Sequence, residues 1–153
     1  MLGNREICQD NKVESLSTRL QRKTEEFQGI LECLIEESMK GTPILVEGKK
    51  DIQALRELGV AGKIFSAKTA GKSRLDVMLE IEQSGQREII LLLDFDRRGK
   101  EWTERLKQDL ERSGIKLNLA FWNKLFGILG KDVKDVEGLV AYMRTLKKKA
   151  GLL

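Results

Sequence analysis

The chain has 153 residues, enough for one domain with a single buried core. Hydrophobic residues make up 41% and charged residues 34%, and the longest unbroken apolar run, residues 89–93, falls far short of the roughly 20 residues that a membrane-spanning helix needs. There is no histidine and Cys8 and Cys33 form no CxxC pair, so zinc sites of the usual spacing are excluded; no apolar signal core follows a basic start, so secretion is not expected and a reducing cytoplasm is.

The first 40 residues read as a polar lead and one long helix. Leu16, Leu20, Phe27, Ile30, Leu31, Leu34 and Ile35 recur at helical spacing as a single apolar stripe. Gly41, Thr42 and Pro43 stop it, because glycine suits the C-terminal cap and the residue before proline is pushed out of helical geometry. Ile44, Leu45 and Val46 then form a short apolar strand that ends at Glu47 and Gly48. Ile52, Leu55 and Leu58 mark a short helix closed near Gly59, and residues 63–66 are a weak second strand. A helix is expected over 72–84 with Leu75, Met78 and Leu79 on its buried face. Residues 88–94 (EIILLLD) are the clearest element, since five consecutive apolar residues read as a strand buried on both faces. Trp102, Leu106 and Leu110 define the next helix, ended by Gly114. Residues 115–121 alternate as a fourth strand, and Val136, Leu139, Val140, Met143 and Leu146 give an amphipathic last helix.

Strands alternating with helices predict an α/β fold with a four-stranded parallel sheet flanked by helices. The expected division is a helical extension over 1–41, a core over 42–122, and a C-terminal helical extension over 123–153 packed on the core. In such sheets ligands bind beyond the carboxyl ends of the strands, where neighbouring connections run in opposite directions. With strand order 2-1-3-4, Glu47 at the end of the first strand and Asp94 at the end of the third converge there. Asp96, two residues on, points the same way along an extended backbone. Three crowded carboxylates repel one another, and a hard divalent cation relieves that repulsion. Magnesium is the expected occupant, because it favours carboxylate oxygens and keeps waters that a phosphate can replace, with manganese as a substitute. Gly48 is expected to let the chain turn sharply after Glu47, and Gly99 to relax the loop after Asp96. Lys49, Lys50, Arg97 and Arg98 flank the acids, a fitting setting for a phosphodiester. Asp96 could instead be a helix N-cap.

The pairing of LVEGKKD at one strand end with LLLDFDRRG at another resembles the Toprim domain, the module shared by topoisomerases, bacterial-type primases and certain nucleases. The likeness covers about residues 42–122. It implies magnesium held by Glu47, Asp94 and Asp96, with Glu47 as general acid or base in making or breaking phosphodiester bonds. The whole chain is most similar to the small stand-alone Toprim proteins of archaea, a group without an assigned activity, and more distantly to the 5S-rRNA-maturation ribonuclease. Strand passage does not fit: a topoisomerase needs a nucleophilic tyrosine on a separate domain, and the single tyrosine, Tyr142, falls on the apolar side of the last helix. Nor are there cysteines or histidines for the zinc module of a replicative primase.

The expected function is therefore magnesium-dependent hydrolysis of phosphodiester bonds in RNA or DNA, with a non-catalytic, metal-dependent nucleic-acid-binding or assembly module as the alternative. Residues 1–40 hold six Lys/Arg against eight Asp/Glu, a net −2, while 41–153 hold 22 against 16, a net +6. The second block is the one to meet a polyanion. The segment SAKTAGKS at 66–73 resembles a phosphate-binding loop without its first glycine, and the helix start near Lys72 and Ser73 could hold a backbone phosphate. Asp132, Asp135 and Glu137 suit the start of the last helix, or a supporting place near the metal. Phe121 and Trp122 could stack on a base, or bury against the last helix. Lys147, Lys148 and Lys149 complement the dipole of that helix. The apolar stripe of the first helix could pack on the sheet or mediate a homodimer.

Overall fold

The computed structural model describes residues 16–68, 71–93, 97–129, 133, 136–149 and 151. Among these, six helices and four strands follow one another as α1 (Leu16–Met39), β1 (Ile44–Val46), α2 (Lys49–Glu57), β2 (Ile64–Ser66), α3 (Arg74–Gln83), β3 (Glu88–Leu92), α4 (Arg97–Arg112), β4 (Lys116–Asn118), α5 (Ala120–Leu129) and α6 (Val136–Lys149). The sheet is parallel throughout, as the alternation of strands and helices predicts, and its strands are ordered β2-β1-β3-β4.

The strands are short, and their pleat divides the core in two. Ile44, Val46, Ile64, Ile90 and Leu92 face α1, α2, α5 and α6, whereas Leu45, Phe65, Ile89 and Leu91 face α3 and α4. Ile44, Leu45 and Ile89 to Leu92 lose nearly all contact with water, as befits strands covered on both faces. The stripe of α1 is used within the chain: Phe27, Leu31 and Leu34 are buried, and α1 packs on α5 and α6. No helix among the described residues is long and apolar enough to cross a membrane.

Three expectations are corrected. The fourth strand stops at Asn118, whose side-chain oxygen accepts the Ala120 N–H at 2.9 Å and turns the chain into α5. Phe121 and Trp122 thus lie on a helix, where with Leu125 they form an apolar stripe buried against the core. In α3 the buried stripe is Val77, Met78 and Ile81, while Leu75 and Leu79 are 68% and 45% exposed. A helix of ten residues has room for several apolar phases, and packing against β2 and α4 selects one. Gly99 lies within α4, so it does not serve a loop.

The turn entering β2 is held by Arg56, whose guanidinium donates to the carbonyls of Val60 and Gly62 at 2.9 and 2.7 Å. Gly62 passes so close to the end of α1 that a Cβ there would sit 2.6 Å from the Ser38 carbonyl oxygen. Gly62→Ala is therefore expected to lower stability by about 1–3 kcal/mol in urea denaturation. Adding Ser38→Ala would leave the carbonyl clash, so a double variant restored to wild-type stability would refute this account.

Candidate metal and phosphate site

Glu47 follows β1 directly, and β1 lies beside β3 with Val46 level with Leu92. One residue further, Glu47 is level with Leu93, the residue immediately before Asp94. β2 lies on the other side of β1, so the neighbours of β1 are reached by connections running in opposite directions. The expected switch point is present, and Glu47 stands on it. Asp94 and Asp96 lie outside the described residues, as do Asp132 and Asp135. Arg97 and Arg98 open α4, but their side chains are likewise outside the description.

The Glu47 side chain is 26% exposed and forms an ion pair with Lys68 at 2.5 Å. The Lys68 N–H also donates to the Glu47 carbonyl at 2.7 Å, which the Ser66 hydroxyl reaches at 3.4 Å. Lys68 is therefore fastened by main chain and side chain to the residue on the switch point. Its position follows from register, because Val46 is level with Ser66 and the chain past β2 must run alongside Glu47. Motif reading passes over it, since nothing in SAKTAGKS marks the third residue before the pairing of strands is known.

Gly48 has φ −145° and ψ −177°, an extended backbone that any residue adopts, and a Cβ built there meets no atom within 4 Å. Its conformational freedom is not what the turn uses. The turn is secured by Asp51, which is 8% exposed and accepts the Gly48 N–H at 3.1 Å and the Glu137 N–H at 3.3 Å. One buried carboxylate thus serves the first turns of both α2 and α6, where backbone N–H groups lack helical partners and the dipoles favour negative charge. The start of α6 is thereby drawn to the Glu47 loop. The Gly48 to Asp51 interval is capping-box spacing, a signal available in the sequence.

Lys49 and Lys50 occupy the first turn of α2, both exposed, and diverge. Lys49 faces a groove beside β2, and Lys50 a second cavity between α2 and α6. Lys72 pairs with Glu80 at 2.7 Å and reaches the Ser66 carbonyl at 3.4 Å. Ser73 caps α3: its N–H donates to Asp76 at 2.8 Å, and its hydroxyl accepts the Asp76 N–H at 3.2 Å. Tyr142 is half-buried against the larger core, with the Lys23 ammonium 5.4 Å from its ring centre.

The backbone and hydroxyl of Ser73, helped by the Lys72 charge and opposed by slight burial, hold the Asp76 carboxyl below its ordinary value of 3.8. A carboxylate whose pKa is depressed by folding stabilises the native state above its unfolded pKa and loses that contribution as pH falls through the native one. Asp76→Asn is expected to melt lower than wild type above about pH 5, with the difference closing in acid. Parallel thermal melts over that range check this, and a difference that widens in acid would contradict it.

A Toprim domain profile matches residues 41–120, a span that holds all four strands, and the chain belongs to that family. Its relatives are small archaeal proteins of similar length. A UPF0292 protein of Methanocaldococcus jannaschii is 34% identical over 125 residues, covering 80% of this chain and 95% of that protein. One from Methanosarcina acetivorans is 37% identical over 131 residues, covering 86% and 89%. A solved structure of a protein from Aquifex aeolicus superposes with a TM-score of 0.58 at 26% identity, over 71% of this chain and 94% of that one. Toprim domains generally bind divalent metal ions such as magnesium, and membership points to a metal-binding, nucleic-acid-related function.

Proposed function

We propose that this protein hydrolyses phosphodiester bonds of nucleic acid in the cytoplasm, using magnesium held by Glu47, Asp94 and Asp96. The observation that carries the reading is the placement of Glu47 at the β1–β3 switch point, level with the residue before the D-x-D segment. Its hard oxygen donor fits magnesium, and its partial exposure leaves room for a ligand that retains water. A bound divalent cation would supply charge neutralisation at a phosphate oxygen and a more acidic water.

The chain's own residues account for the rest. Glu47 holds a proton-accepting carboxylate at the reacting position, kept in place by Lys68. Lys49 and Lys50 present ammonium groups to phosphates on either side of α2, and Arg97 and Arg98, in the first turn of α4, are the further phosphate contacts of this reading. A binding or assembly module that grips phosphate through metal is the second reading.

Incubating the purified chain with labelled structured RNA, single-stranded DNA and duplex DNA, in magnesium or manganese, decides between them. Metal-dependent cleavage lost in Glu47→Gln and in Asp94→Asn supports the hydrolase. Metal-dependent binding without product supports the module.

A further inference from the structure

A groove of about 510 Å³ runs along the open edge of β2, walled by α2 and α3. Ile44 donates to the Lys63 carbonyl at 3.0 Å, and Ala67 donates to the Val46 carbonyl at 2.8 Å. Odd-numbered residues of this strand thus bond to β1, and the alternation of a parallel ladder turns the main-chain groups of Ile64 and Ser66 toward the groove. The Lys72 ammonium, a groove residue, meets the Ser66 carbonyl there.

Three ammonium groups and one carboxylate line this edge: Lys49, Lys63, Lys72 and Glu80. Lys49 and Lys63 have no carboxylate partner among the described residues, and the Lys63 ammonium rests 5.3 Å from the Phe65 ring centre. Lys72 is held by Glu80. Lys49 lies at the carboxyl end of the sheet, two residues from Glu47, and Lys63 at the amino end of β2. The Ser66 hydroxyl bonds the Glu47 carbonyl, so the groove opens directly beside Glu47.

A single groove of this volume, with an excess of positive charge and Ile52, Ile64 and Phe65 in its lining, suits one polyanionic strand more than a duplex, whose two backbones need a broader surface. We propose that the β2-edge groove holds a short single-stranded stretch of nucleic acid running from Glu47 toward Lys63, with Glu80 holding Lys72 in position until a phosphate takes its place. The proposal rests on the hydrolase reading for what happens at the Glu47 end, and it names a single strand as the substrate form.

Fluorescence anisotropy with labelled single-stranded and duplex oligonucleotides, on the full chain in chelator without divalent metal, tests binding apart from cleavage. Lys63→Ala is expected to weaken single-strand binding several-fold and lower the salt slope by about one, as for loss of one phosphate contact. Glu80→Gln is expected to act in the opposite direction, tightening binding and steepening the slope by releasing Lys72. Lys149→Ala, at the far end of α6, is expected to change neither. Thermal melts confirm that each variant is folded. Unaltered binding in Lys63→Ala, weaker binding in Glu80→Gln, equal affinity for duplex, or binding of an acidic extended peptide in place of the oligonucleotide would each overturn the proposal. A wild-type chain that binds in this pattern yet cleaves nothing removes the hydrolase reading and leaves the groove. Cleavage with no groove dependence does the reverse.

Discussion

Glu47→Gln is expected to lower magnesium-dependent cleavage by roughly 10²–10⁴-fold, the range usual for removing a positioned general acid or base. Glutamine keeps the length and one carbonyl oxygen of the side chain, so Lys68 retains an acceptor while the negative charge is lost. The fold has little reason to respond. The Lys68–Glu47 pair is partly exposed, with side chains 47% and 26% accessible, and such pairs contribute about 0–1 kcal/mol. A melting temperature close to wild type beside a large loss of turnover therefore separates chemistry from stability. The magnesium dependence then divides the two roles open to Glu47. If the carboxylate holds metal, the half-saturating magnesium concentration rises in the variant. If it handles the proton, turnover falls at saturating magnesium with metal affinity unchanged. Turnover within a few-fold of wild type at every magnesium concentration would remove Glu47 from the mechanism.

The sheet was legible because its strongest strand is written without ambiguity. Residues 89–93 hold apolar side chains on both faces, which suits a strand covered by helices. That strand and the shorter one ending at Glu47 were legible, and the order 2-1-3-4, found in the structure, is the one that sets their carboxyl ends side by side at a switch point. Where signals conflicted, tertiary context decided. Residues 115–121 alternate well enough for a long strand, yet Asn118 bends the chain at the third strand residue and Phe121 joins a helical stripe. Leu75 and Leu79 look like a buried face until Val77 and Ile81 claim the core.

The candidate site divides in the same way. Glu47 was legible from its place after an apolar strand and before Gly48. Lys68 was not, because its nearness to Glu47 depends on which strand lies beside β1, a long-range fact that no local pattern carries. The structure also redistributes charges that sit together in sequence. Lys49 and Lys50 are adjacent in the chain but face different cavities, since successive residues on a helix point about 100° apart. Glu80 and Lys72, eight residues apart, become partners.

Asp51→Ala is expected to destabilise the protein by about 3 kcal/mol, because one substitution undoes the caps of two helices. Loss of a single capping side chain costs about 0.5–2 kcal/mol, and a buried hydrogen bond to a charged acceptor stands at the upper end. Asp51 is buried and makes two such bonds, to Gly48 at the start of α2 and to Glu137 at the start of α6. For a domain of this size the loss corresponds to a fall in melting temperature of roughly 6–12 °C. Asp51→Asn keeps one carbonyl oxygen and is expected to lose less, since one of the two bonds can persist. The damage is also expected to be local before it is global. The start of α6 is tied to α2 by this carboxylate, whereas Leu139, Met143 and Leu146 anchor the rest of α6 in the core. Amide exchange in Asp51→Asn should therefore quicken at Gly48 and Glu137 while the later turns of α6 stay protected. A variant within 0.5 kcal/mol of wild type, or one whose amides open uniformly along α6, would mean that apolar packing alone draws the two helix starts together. In that case the Glu47 loop would keep its shape without Asp51. If the local pattern appears, the carboxylate that joins α6 to α2 is also what holds the backbone beside Glu47.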